Sequence, residues 1–322
     1  TKTYSGPLYF VPSDTLIGAE AKALGIQGEH DLFGGVVPFS FVATKAITHP
    51  LVEPDAAAPV GWSHDLGPRL GDAVLQGFSG FSLEDAQRAG ARLLRRGPVR
   101  VKRVRETGGL GQIVAADAAA LEQALAALDS AEVARDGVVL EENLSKVTTY
   151  SVGQVRVADL VATYYGTQRL TPDHSGSAVY GGSDLVVVRG GFDALLNLDP
   201  PEGARQAIAQ AQAYDAAAET AFPGMILSRR NYDVARGFDA GRRPRCGVLE
   251  QSWRMGGASG AEIAALEAFR ADPSLRAVRA ATVEIYGEAE PPPHATVYFC
   301  GRDEEVGPMT KYAVVERYDD AR

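Results

Sequence analysis

The run Gly247-Val248-Leu249-Glu250-Gln251-Ser252-Trp253-Arg254-Met255-Gly256-Gly257 places an acid, a hydroxyl and a guanidinium at alternate positions of a segment that ends in glycines. Residues two apart share one face of a strand. Glu250, Ser252 and Arg254 would then point into one cleft as a hard-cation ligand, a weaker oxygen ligand and an anion clamp. That combination suits a magnesium nucleotide and an acidic substrate. The same letters also fit an exposed edge face with ordinary charges, so the segment gains meaning only from what accompanies it.

Two other segments accompany it. Residues 99–112, Val-Arg-Val-Lys-Arg-Val-Arg-Glu-Thr-Gly-Gly-Leu-Gly-Gln, carry Lys102 on a strand that enters a turn containing Gly108, Gly109 and Gly111. Glycines let backbone N–H groups wrap phosphate oxygens, and a lysine on the adjoining strand neutralises their charge. The segment is neither a Walker A loop, which needs Gly-Lys-Ser/Thr, nor a dinucleotide fingerprint, because a strand rather than a helix is expected after it. In Val138-Val139-Leu140-Glu141-Glu142-Asn143-Leu144 an apolar strand turns polar as it leaves the core, where main-chain groups can meet an adenine edge. A glycine hairpin beside a surface lysine, and a strand end followed by solvated acids, remain the plainer alternatives.

The elements that must position these residues follow from patterning. With 45% hydrophobic and 23% charged residues among 322, the chain reads as globular α/β or α+β, long enough for two or three domains. A strand over 7–12 and a helix over 15–24, with Ser13-Asp14 as its cap, open like a βα unit. The stretch 50–59 has the Pro- and Ala-rich composition of a linker, which sets a boundary near residue 65. Helical spacing marks 82–94, 117–128, 203–222 and 260–271. Strands are expected over 99–104, 112–115, 137–140, 152–165 (a pair), 185–189, 278–286 and 295–300, with a hairpin joining 228–235 to 246–254. The domains expected are a small βα domain over 1–65, a first lobe over 66–143 and a second lobe with a C-terminal extension over 144–322.

Composition also excludes. The net charge of −9 argues against nucleic-acid binding driven by phosphate neutralisation. No apolar run is long enough to span a bilayer, and the first residues lack the basic-then-apolar layout of a signal peptide, so a cytoplasmic location is expected. Cys246 and Cys300 have no metal-ligand spacing and are expected as buried or half-buried thiols without a disulfide framework. The five histidines, His30, His49, His64, His174 and His294, have no i,i+4 pair and are expected at the surface or in the core rather than as ligands.

The order of lysine strand with glycine flap, acidic hinge and late hairpin ending in Glu-x-x-x-Arg resembles the ATP-grasp superfamily of ATP-dependent carboxylate ligases. Among its members the chain most resembles a bacterial family of unassigned function distantly similar to biotin carboxylase. The resemblance covers about residues 70 to 260 and implies an ATP-grasp fold, two α+β lobes clasping a nucleotide. It implies that Lys102 contacts phosphate, that Gly108, Gly109 and Gly111 form the flap, and that main-chain groups of Glu141 and Leu144 hold adenine. In Asn231-Tyr232-Asp233-Val234, Asp233 matches the first magnesium-binding acid and Glu250 the second, while Arg254 matches the arginine that steadies the transferred phosphate or the substrate anion. Ser252 stands where the superfamily has a metal-binding asparagine, which sets one Mg²⁺ against two. Thr149 stands at a ribose-contacting position occupied elsewhere by an acid or histidine. Asp239 is the alternative metal ligand, because the turn between Asp233 and Glu250 is longer than usual. No biotin-contacting residue finds a match.

The activity implied is an ATP- and Mg²⁺-dependent ligase that activates a small-molecule carboxylate as an acylphosphate for attack by an amine or similar nucleophile. Arg254 and Arg230 would hold the anionic centre, residues around Gln168 would line the acceptor site, and Ser175 to Gly182 would form a closing loop with the flap. Lys311 is a distant candidate for anion binding. Alternatives are a phosphotransferase, a regulatory module that binds ATP without turnover, and a structural or interaction protein.

Overall fold

Three β-sheets carry the chain in its computed structural model, which describes residues 6–106, 111–304 and 306–318. The smallest belongs to the N-terminal segment. Strand Leu16–Ile17 leads into helix Gly18–Leu24 and pairs in parallel with Gly35–Val37, which also pairs antiparallel with Ile226–Leu227. No strand forms over 7–12, where only Phe10 bridges to Leu32. The helix also begins later than its sequence suggests. Asp14 spends its carboxylate on the neighbouring Thr15 N–H at 2.8 Å, and the first helical turn is closed by Glu20, which accepts from Ile17 N–H at 2.9 Å.

The Pro- and Ala-rich stretch 50–59 does not hang free. Leu51 bridges to Ser79 and Val52 is buried beneath the first lobe, because these two apolar residues find seats that the surrounding composition conceals.

The first lobe is a four-stranded antiparallel sheet in the order Gly77–Gly80, Val138–Glu142, Val99–Arg103, Gln112–Ala115. Helices Leu83–Leu94 and Ala118–Ala126 pack Ala86, Ala89, Leu93, Leu121 and Leu125 against Val99, Val101 and Leu140. Both helices start where the sequence offers a cap. The Ser82 hydroxyl accepts from Asp85 N–H at 3.0 Å, and Asp117 accepts from Ala120 N–H at 2.9 Å. Because Val99 and Val101 face the helices, strand alternation sends Arg100 and Lys102 to the opposite face.

The second lobe is an eight-stranded antiparallel sheet. Its order is Pro244–Ser252, Arg229–Phe238, Ser145–Val157, Leu160–Pro172, Ala178–Arg189, Ala277–Ile285, Gly307–Arg317, Thr296–Asp303. Helix Glu202–Ala221 packs Ala207, Ile208, Ala211 and Tyr214 on one face, against Val152, Tyr232, Val234 and Val248. Helix Ser259–Ala271 packs Ala261, Ala265 and Phe269 on the other, against Val155, Tyr164 and Val187. The loop expected over 175–182 is shorter than its glycines suggest. From Ala178 the chain is already strand, and Asp173 closes the turn before it by accepting from Ser175 and Ser177 N–H at 2.8 and 2.9 Å. The strand Gly307–Arg317 has no counterpart in the sequence reading. Among the described residues, no helix is long and apolar enough to cross a membrane.

Candidate active site

A cavity of about 740 Å³ lies where the two lobes and the N-terminal segment meet. Its second-lobe wall is built by the hairpin Arg229–Phe238 and Pro244–Ser252. Asp233 and Glu250 are register partners there, so the two carboxylates leave adjacent strands side by side. Immediately afterwards the register slips, with Val234 opposite Val248, and this bulge leaves Leu249 at the cavity as well. Ser252 also lines it, as the alternation from Glu250 requires, and Arg254 lines it from just beyond the end of the strand.

The first-lobe wall contributes Lys102 and Glu141, both almost wholly buried and joined by an ion pair. His49 Nε2 lies 3.2 Å from the same carboxylate. Burial alone would raise the Glu141 pKa, but the Lys102 ammonium, helped by His49, outweighs it and brings the group down to about 2. Leu144 lines the cavity together with Leu75, Ala235 and Leu249, which pack on one another as an apolar shelf. Thr149 and Gln168 line it too. Gly111 stands at φ +64°, and a Cβ there would lie 2.8 Å from Glu106 Cγ, so the base of the turn requires glycine. Gly108 and Gly109 lie outside the described residues.

The carboxylate pair is the feature a metal ion would use. Burial first, then the neighbouring Glu250 carboxylate, push the Asp233 pKa up to about 6. Neutral donors restrain the rise. Asn231 Nδ2 and Ser151 Oγ donate to Asp233 Oδ1 at 3.1 and 3.3 Å, and Gln168 Nε2 donates to Ser151 Oγ at 3.2 Å. Among the described residues no group of three or more His, Cys, Asp or Glu side chains is arranged to hold an ion. Mg²⁺ is ordinarily held by one or two carboxylates together with substrate phosphates and waters, so a crowded two-carboxylate pair is of the right kind for it. Ser252 fits less well, because both its carbonyl and its hydroxyl are turned toward Arg229 Nη1, at 3.1 and 3.5 Å.

Several residues of the site are not apparent from the sequence. Lys45, from the irregular segment before the first lobe, is buried and places Nζ 2.7 Å from Glu250 Oε2 and 2.7 Å from the Glu106 carbonyl. Arg100 lines the cavity two positions before Lys102. Arg229, not Arg230, faces inward. It pairs with the fully buried Glu262 through Nε and Nη2, both at 2.8 Å, and Nη1 reaches the Arg254 carbonyl. The Tyr164 hydroxyl lies between Glu262 and Asn231, 2.8 Å from Asn231 Oδ1, and a Cβ on Gly153 would sit 2.4 Å from it. Asn231 completes that face.

Other expectations are displaced. Arg230 leaves the opposite face of its strand, toward helix Glu202–Ala221, where it pairs with Glu219 at 2.7 Å and Asp215 at 3.3 Å. Counting by twos from Asp233 reaches Asn231 and Arg229 and skips Arg230, so alternation was the signal that could have separated them. Asp239 does not line the cavity. It accepts from Arg243 N–H and Nε at 2.9 and 2.8 Å and closes its own turn. Lys311 pairs with Glu284 at 3.2 Å. Cys246 is buried, whereas Cys300 is exposed on the outermost strand, and both are free thiols.

Against known proteins, residues 1–313 match the sequence profile of a family described as "Protein of unknown function (DUF3182)", and the chain belongs to that family. No curated protein sequence is significantly similar to it. Among solved structures, a biotin carboxylase from Campylobacter jejuni, solved as a βγ-ATP complex, aligns with 93% of this chain and 68% of its own at 12% identity and a TM-score of 0.52. Phosphoribosylamine–glycine ligase from Thermotoga maritima aligns with 96% and 79% at 14% identity, TM-score 0.49. Carboxyaminoimidazole ribonucleotide synthase from Aspergillus clavatus, complexed with ATP, aligns with 78% and 66% at 14% identity, TM-score 0.45. The chain thus spans about two thirds of the length of the synthase and of the carboxylase. The likeness to the carboxylase shows the fold of the chain, which is ATP-grasp.

Proposed function

We propose that this member of a family of unknown function is an ATP- and Mg²⁺-dependent ligase that joins a small-molecule carboxylate to an amine or similar nucleophile, releasing ADP and phosphate. The observation that supports this most is the convergence of Lys102, Asp233 and Glu250 on one cavity of about 740 Å³, with Arg254 beside them. Residues 1–65, 66–143 and 144–322 would then be an N-terminal domain, a phosphate-gripping lobe and a metal-holding lobe.

In this reading Lys102 and the backbone of the turn after it hold the triphosphate, the main chain around Glu141 and Leu144 holds adenine, and Thr149 lies at the ribose. Asp233 and Glu250 would hold Mg²⁺, which when bound disperses charge on the phosphates. The acceptor carboxylate attacks the γ-phosphorus. Its O–P bond forms as the bond to the β-phosphate oxygen breaks, giving an acylphosphate and ADP. The amine nitrogen then forms the C–N bond, phosphate leaves, and the nitrogen's proton passes to the departing phosphate or to water. Arg254 holds the anionic centre during both steps, and Arg229 fixes the Arg254 main chain beneath it. Gln168 steadies Asp233 through Ser151 as well as facing the acceptor.

A second reading, nucleotide binding without turnover, draws support from Ser252, whose oxygens are engaged by Arg229 and leave two carboxylates for a metal. Release of ADP and phosphate from ATP and Mg²⁺ in the presence of pooled carboxylates and amines separates the two. The ligase reading expects release that depends on the pool and is lost in Glu250→Gln. ATP binding without stimulated release under any pool supports the regulatory module, and equal turnover in Glu250→Gln contradicts the metal assignment.

A further inference from the structure

Among the cations that line the cavity, most are answered by a carboxylate. Lys102 pairs with Glu141, Lys45 with Glu250, Arg105 with Asp136 and Arg229 with Glu262. Arg100 is treated differently. Its Nη1 donates to Gln112 Oε1 at 3.0 Å and its Nη2 to Asn143 Oδ1 at 2.7 Å, and among the described residues it forms no ion pair. Two amide oxygens, one on the neighbouring strand and one in the connection between the lobes, fix the guanidinium plane yet leave its charge in place.

The position of Arg100 gives that charge a purpose. It leaves the same strand face as Lys102, one step nearer the connection between the lobes, where Asn143 stands. In the same cavity, Leu75 packs with Leu144, Ala235 and Leu249 as the apolar shelf. An aliphatic shelf and a fixed guanidinium without an ion pair, lining one cavity, suit a flat, electron-rich ring. Guanidinium planes stack on such rings, and the stacking strengthens when water is excluded.

We infer that Arg100 is a base-binding residue that lies against the face of the nucleobase, with the Leu75, Leu144, Ala235 and Leu249 shelf on the other face. The inference rests on the nucleotide reading of the cavity and adds to it a contact made to the base rather than to the phosphates. Lys102 then serves the phosphates and Arg100 the ring, from one strand face two residues apart.

Adenosine separates the two roles because it carries the base and no phosphate. Binding of adenosine, AMP and ATP is measured by calorimetry on the full chain, as wild type, Arg100→Leu and Asn143→Ala. Arg100→Leu is expected to weaken all three ligands by the same factor, about tenfold. Asn143→Ala keeps the guanidinium but releases one of its anchors, and a smaller uniform loss of about threefold is expected. Arg100 is only partly buried at a strand surface, so an unchanged unfolding temperature is expected to accompany both results. Weaker ATP binding with unchanged adenosine binding would overturn the inference and make Arg100 a phosphate ligand, as would no change with any ligand. Wild-type protein that binds neither adenosine nor ATP would overturn the nucleotide reading itself, a failure plainly distinct from the others.

Discussion

Glu141 and Asp233 stand on opposite walls of one cavity, and their surroundings push them in opposite directions. Glu141 faces Lys102 and His49 and falls to about 2, whereas Asp233 faces a second carboxylate and rises to about 6. Each is removed from much of the solvent, so burial alone does not explain the difference. The facing charge does: the first-lobe carboxylate is answered by cations of the protein, while Asp233 receives only amide and hydroxyl donors. On the second-lobe wall Lys45 answers Glu250, which leaves Asp233 as the carboxylate that a cation from outside would complete.

That contrast predicts unequal responses to equivalent substitutions. Glu141→Leu leaves the Lys102 ammonium buried without a counter-charge and is expected to destabilise the protein by about 3–5 kcal/mol in urea unfolding. Arg229→Met strands Glu262 in the same way, with a loss of similar size. Asp233→Asn, by contrast, removes a carboxylate that resists ionisation, and stability at neutral pH is expected to hold or rise. A loss in Asp233→Asn as large as in Glu141→Leu would erase the distinction between the walls.

The next effect is on metal binding. Asp233→Asn and Glu250→Gln are each expected to weaken Mg²⁺-dependent nucleotide binding by at least about tenfold, since even outer-shell changes cost about that much. The pH dependence follows from the raised Asp233 pKa. A cation requires the ionised carboxylate, so its affinity is expected to fall by about tenfold per unit as pH drops below about 6. The stability sign runs the other way. A folded-state pKa above the unfolded value gives a contribution present at low pH and lost as pH rises from the ordinary carboxylate range through about 6. The stabilising effect of Mg²⁺ on the unfolding temperature should therefore grow across that window, and a flat response would contradict it.

The smallest effect concerns Arg230. Arg230 is paired on the outer face of its strand, and Arg230→Ala is expected to leave nucleotide binding unchanged and to cost about 1 kcal/mol or less.

What could be read from the sequence followed strand periodicity. The alternation Glu250, Ser252, Arg254 put three residues on one face, and the antiparallel hairpin brought Asp233 opposite Glu250. Helix starts at Ser82 and Asp117 were legible because their caps are local chemistry. Arg230 was misplaced by one position for want of the same alternation counted from Asp233. Lys45 could not be found that way. It arrives from an irregular segment far from Glu250 in sequence, and only the packing of three regions brings its ammonium to that carboxylate. Glu262 was hidden similarly, since one acid on an amphipathic helix gives no sign that it faces inward. The stretch 175–182 misled because its glycines also suit a strand that packs closely on its neighbours. Gly182, for example, would place a Cβ 2.0 Å from the Thr282 carbonyl.

The proposed function requires one cavity to grip a magnesium nucleotide between a lysine wall and a carboxylate pair. Calorimetric titration of the full chain with ATP, with and without Mg²⁺, in wild type and Asp233→Asn, tests it most directly. Mg²⁺-strengthened binding is expected in wild type, and loss of that strengthening in the variant. Binding that is indifferent to Mg²⁺ in both proteins, or absent from wild type, would contradict it.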